Sequence, residues 1–268
     1  MAAEEKKILR IRLTPEELLV LYELATDKPD QVPREDIVPG YSAEKIEFAR
    51  EFAHKSLLAR ELITLDESGE HQLHPFAINL VGVSLMPDST TQLFVQDAEG
   101  ETRQLEFFRY QDDIFLAHGE TDSGLHDFEF LLNEDDYLQR MLDALQLDGH
   151  AKKEVPEGKL NQENFLAALE HAAEGNREEL KVVLNQSAFP DQTAEALSAT
   201  LADSFEVKRI TATEDGTETS REMVLISGDD HLWQLDPDTK DQGQNTLRIR
   251  STSLQEVEAS IRDMHRPG

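Results

Sequence analysis

Apolar residues along the first sixty positions recur at helical spacing. In "LTPEELLVLYELA", Leu18, Leu21, Tyr22 and Ala25 fall on one face, behind Thr14 as cap, Pro15 at the first helical position and Glu17 closing a capping box. Pro29, Pro33, Pro39 and Gly40 then mark 27–41 as a loop. A second helix is predicted over roughly 43–60, with Ile46, Ala49, Phe52, Ala53 and Leu57 turned inward. "ELITLDESGEHQLHP" reads as a short hairpin around Ser68-Gly69, and "PFAINLVGVSLM" at 75–86 as a core helix too short to span a bilayer.

From residue 91 the period changes to two. "TQLFVQDAEGETRQLEFFRYQDDIFLAHG" alternates around turns at Glu99-Gly100 and Asp112-Asp113, and "HDFEFLL" adds a further strand. "NEDDYLQRMLDALQL" returns to helix, with Asn133 as cap and Tyr137, Leu138, Met141, Leu142 and Leu145 inward. The polar stretch 148–159 reads as a linker. Beyond it Asn161 caps a helix with Phe165, Leu166 and Leu169 on its apolar face, and helices follow around 177–187 and 191–203. A second alternating region and a last helix, "SLQEVEASIRDM", complete the chain.

The second alternating region repeats the first. Gly100 and Gly216 lie 116 residues apart, Asp113 and Asp230 117, Leu116 and Trp233 117, Phe128 and Leu247 119. The closing helices keep the offset of 119, Leu138 with Val257 and Leu142 with Ile261. Leu13 and Leu18 match Leu160 and Phe165 at 147. A persistent pattern at low identity is what an old internal duplication leaves. In this setting the paired aspartates are turn punctuation, because their side chains bond local backbone and tolerate unusual dihedrals.

Composition narrows the function classes. Among 268 residues, 55 are acidic and 26 basic, a formal charge of −29. Such a balance repels nucleic-acid backbones and anionic membrane surfaces. The order helix, helix, hairpin is that of a winged helix, but the basic recognition surface is missing. There is no cysteine, which excludes disulfides and thiolate chemistry. The N-terminus lacks an apolar signal core, and a cytoplasmic protein is expected.

Candidate chemistry is sparse. His71 and His74 lie three apart on a predicted strand, so they face opposite sides and share no metal. His126 beside Asp127 precedes the buried alternation of Phe128 and Phe130. No nucleotide-binding loop or nucleophile elbow occurs. No catalytic, cofactor-binding or metal-binding residue is singled out. "LEFFRY" instead places Phe107 and Phe108 on both faces of one strand, which leaves one apolar face for the core and one for a partner. Phe107, Phe108 and the single tryptophan, Trp233, are the candidate partner-contacting side chains, with core packing as the competing reading for Trp233.

The LTPEEL opening, the wing-like "SGEHQLHPFAINLVGVS", the stretch "HPFAINLVGVSLMPDSTTQLFVQD" leading into the first long strand, and the twice-used ending "NEDDYLQRMLDAL" and "TSLQEVEASIRDM" together resemble the EspG family of ESX (type VII) secretion-associated proteins. The resemblance is one of architecture and pattern over nearly the whole chain. It implies a non-enzymatic cytosolic chaperone, without cofactor, that binds a helical secreted substrate of PE–PPE or WXG type. The expected fold is α+β: an internal duplication of two pseudo-twofold-related halves, each an antiparallel β-meander with flanking helices. Residues 1–147 form the first half with a wing-like hairpin insertion, 148–159 the linker and 160–268 the second half, fused into one globular body. A monomer or weak dimer is expected, with no nucleic acid bound and no membrane insertion. The alternative is an acidic regulatory or inhibitory adaptor for a basic or nucleic-acid-binding partner protein.

Overall fold

The computed structural model describes residues 9–265 other than 27, 29–31, 33, 98, 112, 148–154, 186–188, 204, 216–219 and 238–245. The chain is α+β with a large antiparallel sheet. It divides into two compact units: residues 1–90, 105–137 and 214–216 form one, and 91–104, 138–213 and 217–268 the other.

In the first unit, β1 (Leu9–Leu13) pairs antiparallel with β7 (His126–Leu131), β7 with β6 (Ile114–Glu120), and β6 with β5 (Thr102–Tyr110). Three helices supply the core against these strands: α1 (Pro15–Ala25), α3 (Ala43–Ala59) and α4 (Pro75–Leu85). The short α2 (Arg34–Ile37) interrupts the predicted loop, and β2 (Ile63–Leu65) with β3 (His71–Leu73) forms the predicted hairpin. Leu13, Leu21, Leu57 and Leu80 are fully enclosed there with Leu116 and Phe128. β1 alternates leucine and isoleucine with Arg10 and Arg12, and both arginines reach Asp127 of β7 at 2.7–2.8 Å. The Arg12 hydrogen bond, aided by Arg10 and against the effect of burial, holds the Asp127 carboxyl down at about 2. On its other side β1 meets Arg60, whose Nη2 donates to the Arg12 carbonyl at 2.7 Å.

In the second unit the strands run in the order β4 (Ser89–Asp97), β9 (Phe205–Glu214), β10 (Ser220–Gly228), β11 (Leu232–Pro237), β12 (Thr246–Ser251), β8 (Gly158–Asn161). Helices α6 (Gln162–Ala173), α7 (Arg177–Asn185) and α8 (Asp191–Ala202) build a core with Phe205, Ile226, Trp233, Leu235 and Ile249. Helices α5 (Glu134–Leu145) and α9 (Leu254–Met264) each follow a closing strand. A Cβ on Gly158 would stand 1.8 Å from the Phe189 ring, so that ring lies directly on the β8 backbone.

Several expectations hold to the residue. Thr14 and Glu17 make both bonds of the capping box, and Asn161 caps α6. Others need correction. Phe52, Ala25 and Leu166 are exposed, although each was expected on an apolar inner face. Phe52 lies about 100° around α3 from Ala53, at the margin of the stripe. Two strands lay outside the expected pattern: β1, and β8, which takes residues 158–159 from the predicted linker. Residues 148–154 of that linker, Asp112 and Gly216 fall outside the described residues. Asp113, Asp229 and Asp230 stand in turns between strands.

Candidate partner-binding surface

The three side chains expected to face a partner are enclosed. Phe107 and Trp233 are 0% exposed and Phe108 7%. Phe107 meets the edge of Tyr137 at a ring separation of 5.7 Å, and Phe108 joins the core under α1 and α4. Trp233 donates its Nε1–H to Thr200 Oγ1. An enclosed ring has no area left for a partner, so these are core residues.

The exposed aromatics are elsewhere. Phe48 is 65% exposed and Phe52 55%, one turn apart on α3, with ring centroids 4.8 Å from each other. They stand beside a groove of about 420 Å³ between α3 and the start of α1, floored by Ala49 and Ala53. The α3 register explains this arrangement. Ala53 and Leu57 anchor the buried stripe, and the small side chains at 49 and 53 leave a depression that the two phenylalanines flank.

One end of the groove is held rigidly. Glu17, 3% exposed, accepts from the Thr14 backbone N–H at 2.9 Å, from Ser56 Oγ at 2.6 Å and from Arg60 Nη1 at 2.8 Å. Tyr41 donates its hydroxyl to Glu16 at 2.7 Å, and Lys45 Nζ sits 3.4 Å over the Tyr41 ring. Burial opposes ionisation of Glu16, but the Tyr41 hydroxyl, with backbone, Thr14 and Lys45, outweighs it and keeps that carboxyl below its ordinary value. The same bond raises the Tyr41 phenol. On the other side Glu44, Glu47 and Glu51 follow one another at spacings of three and four residues.

The histidines are otherwise employed. His74 caps α4 by accepting from the Phe76 N–H, and the His71 ring lies tilted against that of His54 of α3, with centroids 4.4 Å apart. His126 Nδ1 lies 3.0 Å from His118 Nε2, and His118 Nδ1 lies 3.0 Å from Glu106. Strand register brings these three together across β5, β6 and β7, a juxtaposition no local motif announces. Lys208, fully enclosed, donates to Glu206 and Ser227. Burial lowers its ammonium pKa and Glu206 pulls the other way. Among the described residues no three His, Asp or Glu side chains are grouped to hold a metal, and no helix is long and apolar enough to cross a membrane.

No family model matches the chain, and no curated protein matches it in sequence. Among solved structures it is similar to the Mycobacterium tuberculosis type VII secretion system chaperone EspG5, solved in complex with a PE25–PPE41 dimer. The TM-score is 0.63 at 11% identity, over 96% of this chain and 95% of that one. The two share a fold. At that identity no individual residue of EspG5 is carried over, so the groove beside Phe48 and Phe52 rests on this chain's own geometry.

Proposed function

We propose that this chain is a non-enzymatic, cytoplasmic chaperone-like binding protein of a type VII secretion system, which takes a helical secreted protein as its partner. The observation that carries this reading is the likeness to EspG5 over almost the full length of both chains. The exposed aromatic pair on α3 supports it, because large apolar side chains left in solvent beside a groove mark interaction surfaces. The partner is a helical protein of PE–PPE or WXG type, bound by a monomer or weak dimer of this chain. The adaptor alternative finds no support in the comparisons. Co-expression with helical secreted proteins encoded beside its gene should yield a complex that co-elutes through size exclusion. Failure of every such protein to co-elute would refute the proposal.

The same reading takes 1–147 and 160–268 as copies of one ancestral unit. In each, a strand leads into a side-chain-capped helix and pairs with the last strand of a meander: Ile11 opposite Phe128, Gly158 opposite Ile249. With Leu13 matched to Leu160, this register equates Phe128 with Ile249, 121 residues on, one pleat repeat beyond the offset read from the pattern alone. An experimental structure in which the two segments fail to superpose strand for strand would reject the duplication.

A further inference from the structure

From the α3 surface we infer a specific partner chemistry: the groove beside Phe48 and Phe52 docks an amphipathic helix whose apolar stripe is bordered by lysine or arginine. This rests on the binding reading above and adds to it the place and the charge of the contact. The groove is lined mainly by carbon, and the two rings that flank it are the largest apolar side chains exposed along α3. An apolar stripe laid along α3 would cover both rings, which are one helical turn apart.

The border is acidic where it is unoccupied. Of the carboxylates along α3, Glu44 has no ion pair among the described residues, and Glu47 is 81% exposed at 3.5 Å from Arg50. Arg50 is itself turned toward Glu23, which it binds through Nε at 2.8 Å and through Nη2. Lys55 answers Glu51, and Lys45 lies over Tyr41. The basic groups near the aromatic stripe are therefore engaged, while carboxylate remains to meet an incoming cation. The charge of −29 on the whole chain acts in the same direction.

A second copy of this chain is the poorer occupant. Two α3 helices crossing antiparallel about Phe48 and Phe52 would set Lys45 of one against Lys55 of the other, and two bodies of charge −29 repel.

The test uses the full chain and labelled synthetic helical peptides of about 18 residues, long enough for four or more turns. One carries leucine at i, i+3, i+4 and i+7 spacing with lysine borders, and the other has glutamate in place of lysine. Fluorescence anisotropy should show the lysine-bordered peptide bound about tenfold or more tightly than its counterpart, with binding that weakens as salt rises. Phe48→Ser with Phe52→Ser should weaken it about tenfold or more, as loss of a central aromatic contact does. Both positions are exposed, so the melting curve should stay as in the parent; Glu44→Gln with Glu47→Gln offers a second variant that leaves the apolar contact intact and should reduce the charge preference. Equal affinity for the two peptides, or binding unchanged in the double phenylalanine variant, would overturn the inference. So would a concentration-dependent dimer of the parent that this variant abolishes. A secreted partner that co-elutes equally well with the double variant would defeat the inference and leave the binding reading standing. Absence of any partner with the parent would defeat the binding reading itself.

Discussion

Trp233 Nε1 and Thr200 Oγ1 stand 3.0 Å apart in the core of the second unit, and the same hydroxyl donates to the Ala196 carbonyl at 3.1 Å. One threonine thus answers the sole tryptophan's only polar atom and ties β11 to α8. Thr200→Val keeps the shape and removes the acceptor, stranding an enclosed N–H. Unfolding in urea should show a loss of about 1–3 kcal/mol. Parent-like stability would mean that the bond contributes nothing net.

Among the described glycines, Gly158 leaves the least room for a single methyl. Alanine there would drive its Cβ into the Phe189 ring, with 1.8 Å between atom centres. Gly158→Ala should destabilise by about 1–3 kcal/mol, the range for overpacking. Adding Phe189→Ala should cost less than the sum of the two single changes, since the second removes the clash created by the first. Additive values from denaturant melts would contradict the contact.

Glu17 and Glu51 both pair with a basic side chain, and their environments set very different consequences. Glu17 is enclosed and completes a capping box, so Glu17→Ala leaves Arg60, Ser56 and the Thr14 N–H without their acceptor. A loss of about 3 kcal/mol is expected. Glu51→Ala breaks an exposed, solvent-screened pair with Lys55 and should leave the melting temperature close to that of the parent. Calorimetry on the two variants side by side checks the contrast.

Two histidines make stability fall with acid. Burial first, then the neighbouring histidine, pulls His54 and His126 below the ordinary 6.5; Glu23 resists at His54, Glu120 and Glu106 at His126. A depressed folded pKa means that the unfolded chain takes the proton first. The contribution is therefore full above about 6.5 and is lost as pH falls through the folded values. Asp127 adds a separate loss between its ordinary 3.8 and about 2. Denaturant titrations from pH 8 to pH 5 should show a decline beginning near 6.5, reduced in His126→Gln. A rise in stability on acidification would refute the assignment.

Local chemistry was readable along the chain and distant pairing was not. Thr14, Pro15 and Glu17 announce their helix because a capping box is complete within four residues. β1 shows a period of two in "LRIRL", but only five residues of it, and β8 has four. Such lengths carry little periodic signal. Phe48 is legible from the helical pattern itself. It lies on the polar side of α3 by simple helical counting, and an aromatic on that side is the anomaly to pursue. Phe107, Phe108 and Trp233 misled because aromatic alternation looks the same on an open sheet face as on one that is covered. The approach of Arg60 to Glu17 and of His118 to His126 depends on packing and register, which no single stretch encodes.

The guanidinium of Arg60 on the Arg12 carbonyl has a bearing on the molecule's behaviour in a crowded solution. β1 is an outermost strand, and an open border of backbone groups is a template onto which foreign strands stack. Here the Arg60 side chain already occupies one rung, donating to the Arg12 carbonyl. A border so armed resists fibre-like accretion.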